Sequence, residues 1–225
     1  MHKLTIAAIV LGVMVPACTM TPPSQNGNGN ANGNSNQSAN TNQNANSPDT
    51  NANTAPDPNP RVTLQTPLGD IIIELFPDDA PASVDNFLQY IEDGFYDGSD
   101  GLGATVFHMV GDNFIVAGTV DEIGRTKETR DAIPNESDNG LTNDRGTVAM
   151  FWEAGPDSAT SQFIINVTDN PDFNAMGGGV PGFGVFGAVV EGMDTVDEIA
   201  ALPANNQDEP ITPPSIFRAF VNTEP

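Results

Sequence analysis

Between Thr19 and Pro60 the chain offers almost nothing to bury. The run "NGNGNANGNSNQSANTNQNANS" and its flanks are built largely from Asn, Gly, Ser, Gln, Ala, Thr and Pro. Without large apolar side chains to remove from water, no burial term offsets the entropy lost on ordering. Asn-rich tracts favour aggregation, but the interspersed Gly and Pro oppose it. Residues 19–60 are therefore expected to be a flexible tether, and any core must come from residues 61–225. That remainder has the size of one ordinary domain.

The tether follows a segment with the features of an export signal. Lys3 precedes an apolar run from Leu4 to Val15 that is too short to span a bilayer, which takes roughly 20 apolar residues. The run ends at Cys18, the single cysteine of the chain. Val15-Pro16-Ala17-Cys18 resembles a lipobox, with an unusual Pro16. Lipidation of Cys18 is the preferred reading, and ordinary signal cleavage after Ala17 is the alternative. Residues 1–18 are thus expected to direct export to the cell envelope, periplasmic or extracytoplasmic, with Cys18 anchoring the chain to a bacterial membrane. Either cleavage leaves no pair of cysteines for an internal disulfide, so the domain must rely on its apolar core.

With 30 Asp and Glu against 7 Lys and Arg, the formal charge is -23. Such a surface repels phosphate backbones, which argues against nucleic acid as a partner. Solubility accounts for the acidity without any acid-specific function.

In "RVTLQTPLGDIIIELFP" apolar and polar residues alternate on both sides of a turn holding Pro67 and Gly69, the pattern of a β-hairpin. In "DDAPASVDNFLQYIEDG", Val84, Phe87, Leu88 and Ile91 fall on one helical face. Asp79 is the expected N-cap, Pro81 sits in the first turn and Gly94 is the expected stop. Short strands are expected in "TVFHMV", "FIVAG", "GTVAMFW", "SQFIINV", "GVFGAVV" and "IFRAFVN", and a second helix in "MDTVDEIAAL". Many short strands with two helices point to a closed barrel or sandwich rather than a βαβ series.

These segments together resemble the cyclophilins, the peptidyl-prolyl cis-trans isomerases, from about Arg61 to Asn222. "FHMVGDNFIVAG" is similar to the family's F-H-R-V-x-x-x-F-M-x-Q-G segment. "GTVAM" and "SATSQFIINV" are similar to G-T-x-A-M and S-x-x-S-Q-F-F-I, and "VFGAVVEGMDTVDEI" to V-F-G-x-V-x-x-G-M-D-V-V-D-x-I. The order is the family's order, which is more specific than any single motif. The resemblance implies a mainly β fold, a closed eight-stranded antiparallel β-barrel capped by two α-helices. It also implies a proline-binding groove on the outer face, proline-containing segments of exported proteins as partners, and no cofactor. A monomer is expected.

The implied reaction rotates an X-Pro amide against a barrier of about 18 to 20 kcal/mol. A catalyst needs an apolar slot for the proline ring, donors for the flanking backbone, and a group that prefers the twisted amide. By the resemblance, Phe114, Ile115, Ile164 and Phe173 line the slot, and Gln162 grips substrate backbone. Barrel core is the alternative reading of the apolar four on residue type alone. Two polar positions depart from the family. Met109 stands where the family has the arginine that donates toward the prolyl nitrogen, and Ala117 stands where it has a glutamine. Asp172 replaces an aromatic or apolar residue, and no counterpart of the pocket histidine is placed. The implied outcome is an isomerase of reduced activity that assists the folding of exported proteins. The alternative is a non-catalytic module that binds proline-containing segments.

Arg125, Lys127 and Arg130 are expected to be solvated loop cations, and Arg145 to be structural. Trp152 either packs on a peptide or is an ordinary half-buried aromatic. "GFGVFG", residues 182–187, fits G-x-G-x-x-G but is followed by a strand pattern rather than a helix, so it is read as chance. "DGSDGLG", residues 97–103, has His108 rather than Glu at the twelfth position counted from Asp97, so it does not make a calcium loop. His108 has no second His or Cys nearby and is read as structural, not as a metal ligand.

Overall fold

A computed structural model describes residues 59–222 apart from Gly177. The expected export signal, Cys18 and nearly all of the tether lie outside the described residues.

Eight strands make one antiparallel sheet: β1 (Arg61–Thr66), β2 (Gly69–Leu75), β3 (Thr105–Met109), β4 (Phe114–Asp121), β5 (Thr147–Met150), β6 (Phe163–Asn166), β7 (Val185–Glu191) and β8 (Arg218–Val221). Their spatial order is β3-β4-β6-β5-β7-β2-β1-β8. The expected hairpin is present as β1 and β2, paired from Arg61↔Glu74 to Thr66↔Gly69.

The closed barrel is not what forms. The sheet curls into an open half-barrel with β3 and β8 as its edges. The segment before β8 comes near β3, where Phe107 N–H donates to the Pro214 carbonyl at 3.0 Å and Ile216 N–H to the Thr105 carbonyl at 2.8 Å. A bridge pairs Val106 with Ser215. The tandem Pro213-Pro214 supplies no N–H groups, so this contact cannot continue as a ladder.

Strand alternation sorts side chains to two faces. Ile115 and Ala117 of β4, Val148 and Met150 of β5, Phe163 and Ile165 of β6 and Phe186 of β7 enter the interior core. Helix α1 (Pro81–Glu92) adds Val84, Phe87, Tyr90 and Ile91, and α2 (Met193–Ala200) adds Val196 and Ile199. Phe87 meets Tyr96, Phe163 and Phe186 at centroid distances of 5.3, 5.4 and 5.2 Å, which fixes the helix on the sheet.

The start of α1 differs from expectation. Ala80 is the N-cap and makes no side-chain cap. A remote carboxylate does that work: Glu136 accepts from Ala82 N–H at 3.0 Å and from Ser83 N–H and hydroxyl at 2.8 and 2.7 Å. A negative charge at a helix N-terminus satisfies orphan donors and suits the macrodipole. At the other end Gly94 takes φ +67° and donates to the Ile91 carbonyl at 3.0 Å, a left-handed stop that glycine adopts without strain.

Candidate proline-binding groove

The alternate residues of the same strands build a second apolar cluster on the opposite face of the sheet. Val116 of β4, Ala149 of β5, Ile164 of β6 and Val185 of β7 are buried beneath Met109, Phe114, Leu141, Phe151, Phe173 and Phe183, which are partly buried. The β3–β4 ladder carries irregularities that set Phe107 opposite Ala117 and Met109 opposite Val116. Phe107 thereby enters the interior and Met109 joins the outer cluster.

The partly buried rings form a connected row. Phe114 and Phe173 meet edge to face at 5.3 Å between centroids, and Phe173 and Phe183 likewise at 5.2 Å. Phe151 stacks on Phe183 at 5.4 Å, and Trp152 tilts against it at 5.3 Å. Trp152 is half-buried and donates from Nε1 to the Gly182 carbonyl at 3.0 Å. An apolar aromatic row at the surface suits a proline ring or another flat apolar group.

Loops carrying Phe173 and Phe183 are held by asparagines. Asn143, almost wholly buried, donates from Nδ2 to the carbonyls of Phe173 and Phe183 at 3.2 and 3.1 Å. Its Oδ1 accepts from Asn166 Nδ2 at 3.1 Å, and Asn166 Oδ1 accepts from Asn170 Nδ2 at 2.8 Å. Asn170 Nδ2 also reaches the Asn113 carbonyl, just before β4, at 3.0 Å. One polar network thus connects the β4 entrance, β6 and both aromatic loops. Buried amides satisfied in this way restrict a site to one geometry.

Of the residues expected to line the site, the structure brings Met109, Phe114, Ile164 and Phe173 together in the outer cluster. Ile164 is its buried floor rather than an accessible surface. Ile115 and Ala117 do not join them. Both are wholly buried and belong to the interior core, because they fall on the other parity of β4. Val116 occupies the outer face between Phe114 and the end of the strand. Strand alternation within "FIVAG" carries that correction, whereas motif position does not. Phe151, Phe183, Leu141 and the asparagine network have no motif to mark them; only the loops' tertiary approach shows them.

Gln162 is partly exposed between Ser161 and Phe163. Its carbonyl accepts from Phe151 N–H at 3.0 Å, while its side-chain Oε1 is buried without a hydrogen bond. His108 Nδ1 is buried as well and makes no hydrogen bond of good geometry, although the Gln162 side chain is near enough to act on the imidazole as a hydrogen-bond partner. Burial lowers the His108 pKa from its usual value, while the Val106 carbonyl, Gln162, Glu153 and Glu209 push it back up. The imidazole is therefore neutral at pH 7.

Each cation among the described residues is engaged with a partner outside this cluster. Arg61 pairs with Glu74, Arg125 with Asp121, Arg130 with Asp93 and Arg145 with Asp197. Arg218 lies over the Phe220 ring at 4.6 Å. Lys127 corrects the expectation of a solvated loop cation. Its ammonium is buried, pairs with Asp100 at 2.9 Å, donates to the carbonyls of Phe95 and Gly103, and lies 4.5 Å from the Phe95 centroid. The loop that faintly resembles a calcium site is thus organised around the chain's own cation.

Comparison with known proteins agrees with this architecture. The profile of the family described as "Cyclophilin type peptidyl-prolyl cis-trans isomerase/CLD" matches residues 61–221. A peptidyl-prolyl cis-trans isomerase of Acinetobacter baylyi is 44% identical over 167 residues, covering 72% of this chain and 85% of that protein. Peptidyl-prolyl cis-trans isomerase B of Escherichia coli is 47% identical over 141 residues, covering 61% of this chain and 82% of that protein. The crystal structure of a Cryptosporidium parvum cyclophilin-type isomerase superposes with TM-score 0.61 at 23% identity, covering 74% of this chain and 99% of that one, a likeness of fold. With the family's segments in their order on a curled eight-stranded sheet, this chain belongs to the cyclophilin-type peptidyl-prolyl cis-trans isomerases.

Proposed function

We propose that the outer aromatic face binds X-Pro segments and turns them over slowly. The observation that carries this reading is Met109 itself. It lies in the apolar cluster beside Phe114, Ile164 and Phe173, and a thioether has no proton to donate. Every described cation is engaged elsewhere, so none supplies the missing donor.

Rotation about the X-Pro bond turns the planar nitrogen into a pyramidal one with an available lone pair. A donor aimed at that lone pair binds the twisted amide better than the planar one and lowers the barrier. The groove retains apolar surface for the ring and the Gln162 side chain for flanking backbone. It lacks the donor, and Ala117 contributes no amide. By analogy with removal of one oxyanion-hole donor, that loss costs about 3 to 4 kcal/mol, on the order of a hundredfold to a thousandfold in rate.

The test is the cis-to-trans rate of a short proline peptide with the full chain and with Met109→Arg. Slow but measurable acceleration, increased about a hundredfold by Met109→Arg, supports a reduced isomerase. Binding with no acceleration by the natural chain, and turnover gained by the variant, supports the second reading: a non-catalytic proline-binding module. Retention of the apolar row without its polar partner favours that second reading over an unrelated scaffold. No binding to any proline peptide would sink both.

We further propose that the domain works outside the cytoplasm on exported chains and assists their folding. The signal-like residues 1–18 and the polar tract after them support this reading. Cys18 would carry the lipid, and residues 19–60 would supply reach as a flexible tether. Cell fractionation with Cys18→Ser tests it: the natural chain is expected with membranes and the variant in the soluble fraction. An unchanged distribution would rule out the anchor.

A further inference from the structure

The outer aromatic row is longer than a proline ring needs. Phe114 stands opposite Asn166 at one end of β6, and Phe151 N–H reaches the Gln162 carbonyl just before the other end. β4 and β5 flank β6, so the two residues lie two strand spacings and four residues apart. That is a diagonal of about 16 Å across the face of the sheet. Phe173 and Phe183 bridge it, with successive centroids 5.3, 5.2 and 5.4 Å apart from Phe114 to Phe151.

The two ends differ in kind. Met109 belongs to the Phe114 end, since it stands opposite Val116, two residues along β4 from Phe114. At the far end Phe183 is stacked on Phe151 with 23° between the planes and is tilted against Trp152, and all three rings are partly exposed. Main-chain bonds to the Phe173 carbonyl and from Asn143 fix Phe183 in place. The donors around it are already spent. Trp152 Nε1 and Asn135 Nδ2 both donate to the Gly182 carbonyl at 3.0 Å, and Asn139 Nδ2 donates to the Val185 carbonyl at 2.9 Å. A side chain arriving here meets fixed ring faces and edges, and none of these donors answers a polar group.

We infer that the end formed by Phe183, Phe151 and Trp152 seats an aromatic side chain of the ligand, two residues from the proline, so that the groove favours X-Pro segments carrying such a neighbour. This rests on the reading of the Phe114 end as the proline seat. In an extended segment, side chains on one face recur about every 7 Å, which carries the next one from the Phe114–Phe173 pair to the Phe183 ring. An aromatic guest gains edge-to-face and offset contacts beyond its buried area. Rings that are already held in place lose little freedom when it binds.

The experiment measures dissociation constants of the full chain for short peptides with a single proline: a reference with Ala around the proline, one with Phe two residues before it, and one with Phe two residues after it. The tighter Phe peptide is then remade with cyclohexylalanine for Phe, with Arg for Phe, and with Ala for Pro. Cyclohexylalanine keeps the bulk and loses the quadrupole of the ring. The Phe peptide is expected to bind about tenfold tighter than the reference and about threefold tighter than the cyclohexylalanine peptide. Phe151→Leu is expected to narrow the ratio between the Phe peptide and the reference.

Equal binding of the reference and both Phe peptides would overturn the inference and leave the proline site standing. Cyclohexylalanine binding as well as Phe would reduce the effect to burial of apolar bulk, and an Arg peptide tighter than the Phe peptide would assign this end to a cation. Either result removes the aromatic seat. Equal binding of the Phe peptides with and without Pro would overturn it in another way, because the aromatic residue would then dock without reference to the proline. Absence of binding by all of the proline peptides would remove the proline site and this inference with it.

Discussion

Phe183 donates its main-chain N–H to the carbonyl of Phe173 at 2.9 Å, and the two rings meet edge to face with centroids 5.2 Å apart. Two irregular loops are thus bound to each other at the centre of the aromatic face. Asn143 stands behind both, donating to each of their carbonyls. Asn143→Ala would strip those donors and remove one of the acceptors of Asn166 Nδ2, at 3.1 Å, leaving it those on Thr147. The expected loss is about 1 to 3 kcal/mol of stability, since the Phe183 carbonyl loses the Asn143 donor while the Phe173 carbonyl keeps the Phe183 N–H. Peptide binding should weaken with it. Urea titration followed by far-UV signal measures the first effect and peptide fluorescence the second. An unchanged midpoint would show that the network does not hold the loops.

Gly182 explains part of a motif that the sequence makes ambiguous. A Cβ built there would lie 2.2 Å from the Phe173 carbonyl oxygen and 2.5 Å from the Asn174 carbonyl carbon. The glycine is required because two backbones touch, not because a phosphate binds. Gly182→Ala is expected to push the Phe173 loop away and disrupt the ring contacts. The measurement is peptide affinity alongside thermal stability. A groove that binds as before, in a protein of unchanged stability, would refute this account of the motif.

The sequence carried the strands, the first hairpin and both helices well, because periods of two and 3.6 survive in short segments. It also carried the family, through several segments in one order. The outer cluster was only half legible. Met109, Phe114, Ile164 and Phe173 meet, but Ile115 and Ala117 turn inward on the opposite parity of β4. Motif position and strand alternation disagree there, and alternation decides which face each side chain takes. The half-barrel and the remote cap of α1 by Glu136 depend on contacts between distant segments, and no local pattern announces them. Lys127 departs from expectation for a related reason. Surface loops usually solvate their lysines, and only the folded loop shows two carbonyls and a carboxylate converging on this one.

Lys127→Met is expected to be strongly destabilising. It keeps much of the apolar stem but leaves Asp100 without its partner and the carbonyls of Phe95 and Gly103 without a donor. Breaking a buried pair from one side costs about 3 to 5 kcal/mol, and the partial exposure of Asp100 places the expected loss toward the lower end. Adding Asp100→Asn should recover part of it by removing the stranded charge. Denaturant unfolding of the two variants and their combination yields the coupling directly. Strictly additive losses would mean that the pair is not a coupled unit.

His108 predicts a pH dependence of stability with a defined sign. Burial lowers its folded-state pKa, so the unfolded chain takes up the proton first as pH falls. Above the unfolded value of about 6.5 the imidazole is neutral in both states and contributes no slope. Below it, protonation favours the unfolded chain, and stability declines until the folded pKa is reached, where the slope from this group ends. Asp121 and Asp197 are separate from this window. Arg125, first through its N–H, holds the Asp121 carboxyl below its usual value, and the Arg145 side chain does the same for Asp197. Their contributions are complete above about 3.9 and are lost only as pH falls through their still lower folded values. Unfolding free energies measured from pH 7.5 to 5 should therefore fall for the natural chain and fall less for His108→Gln, whose amide does not titrate. Parallel curves for the two proteins would show that His108 is not the group responsible.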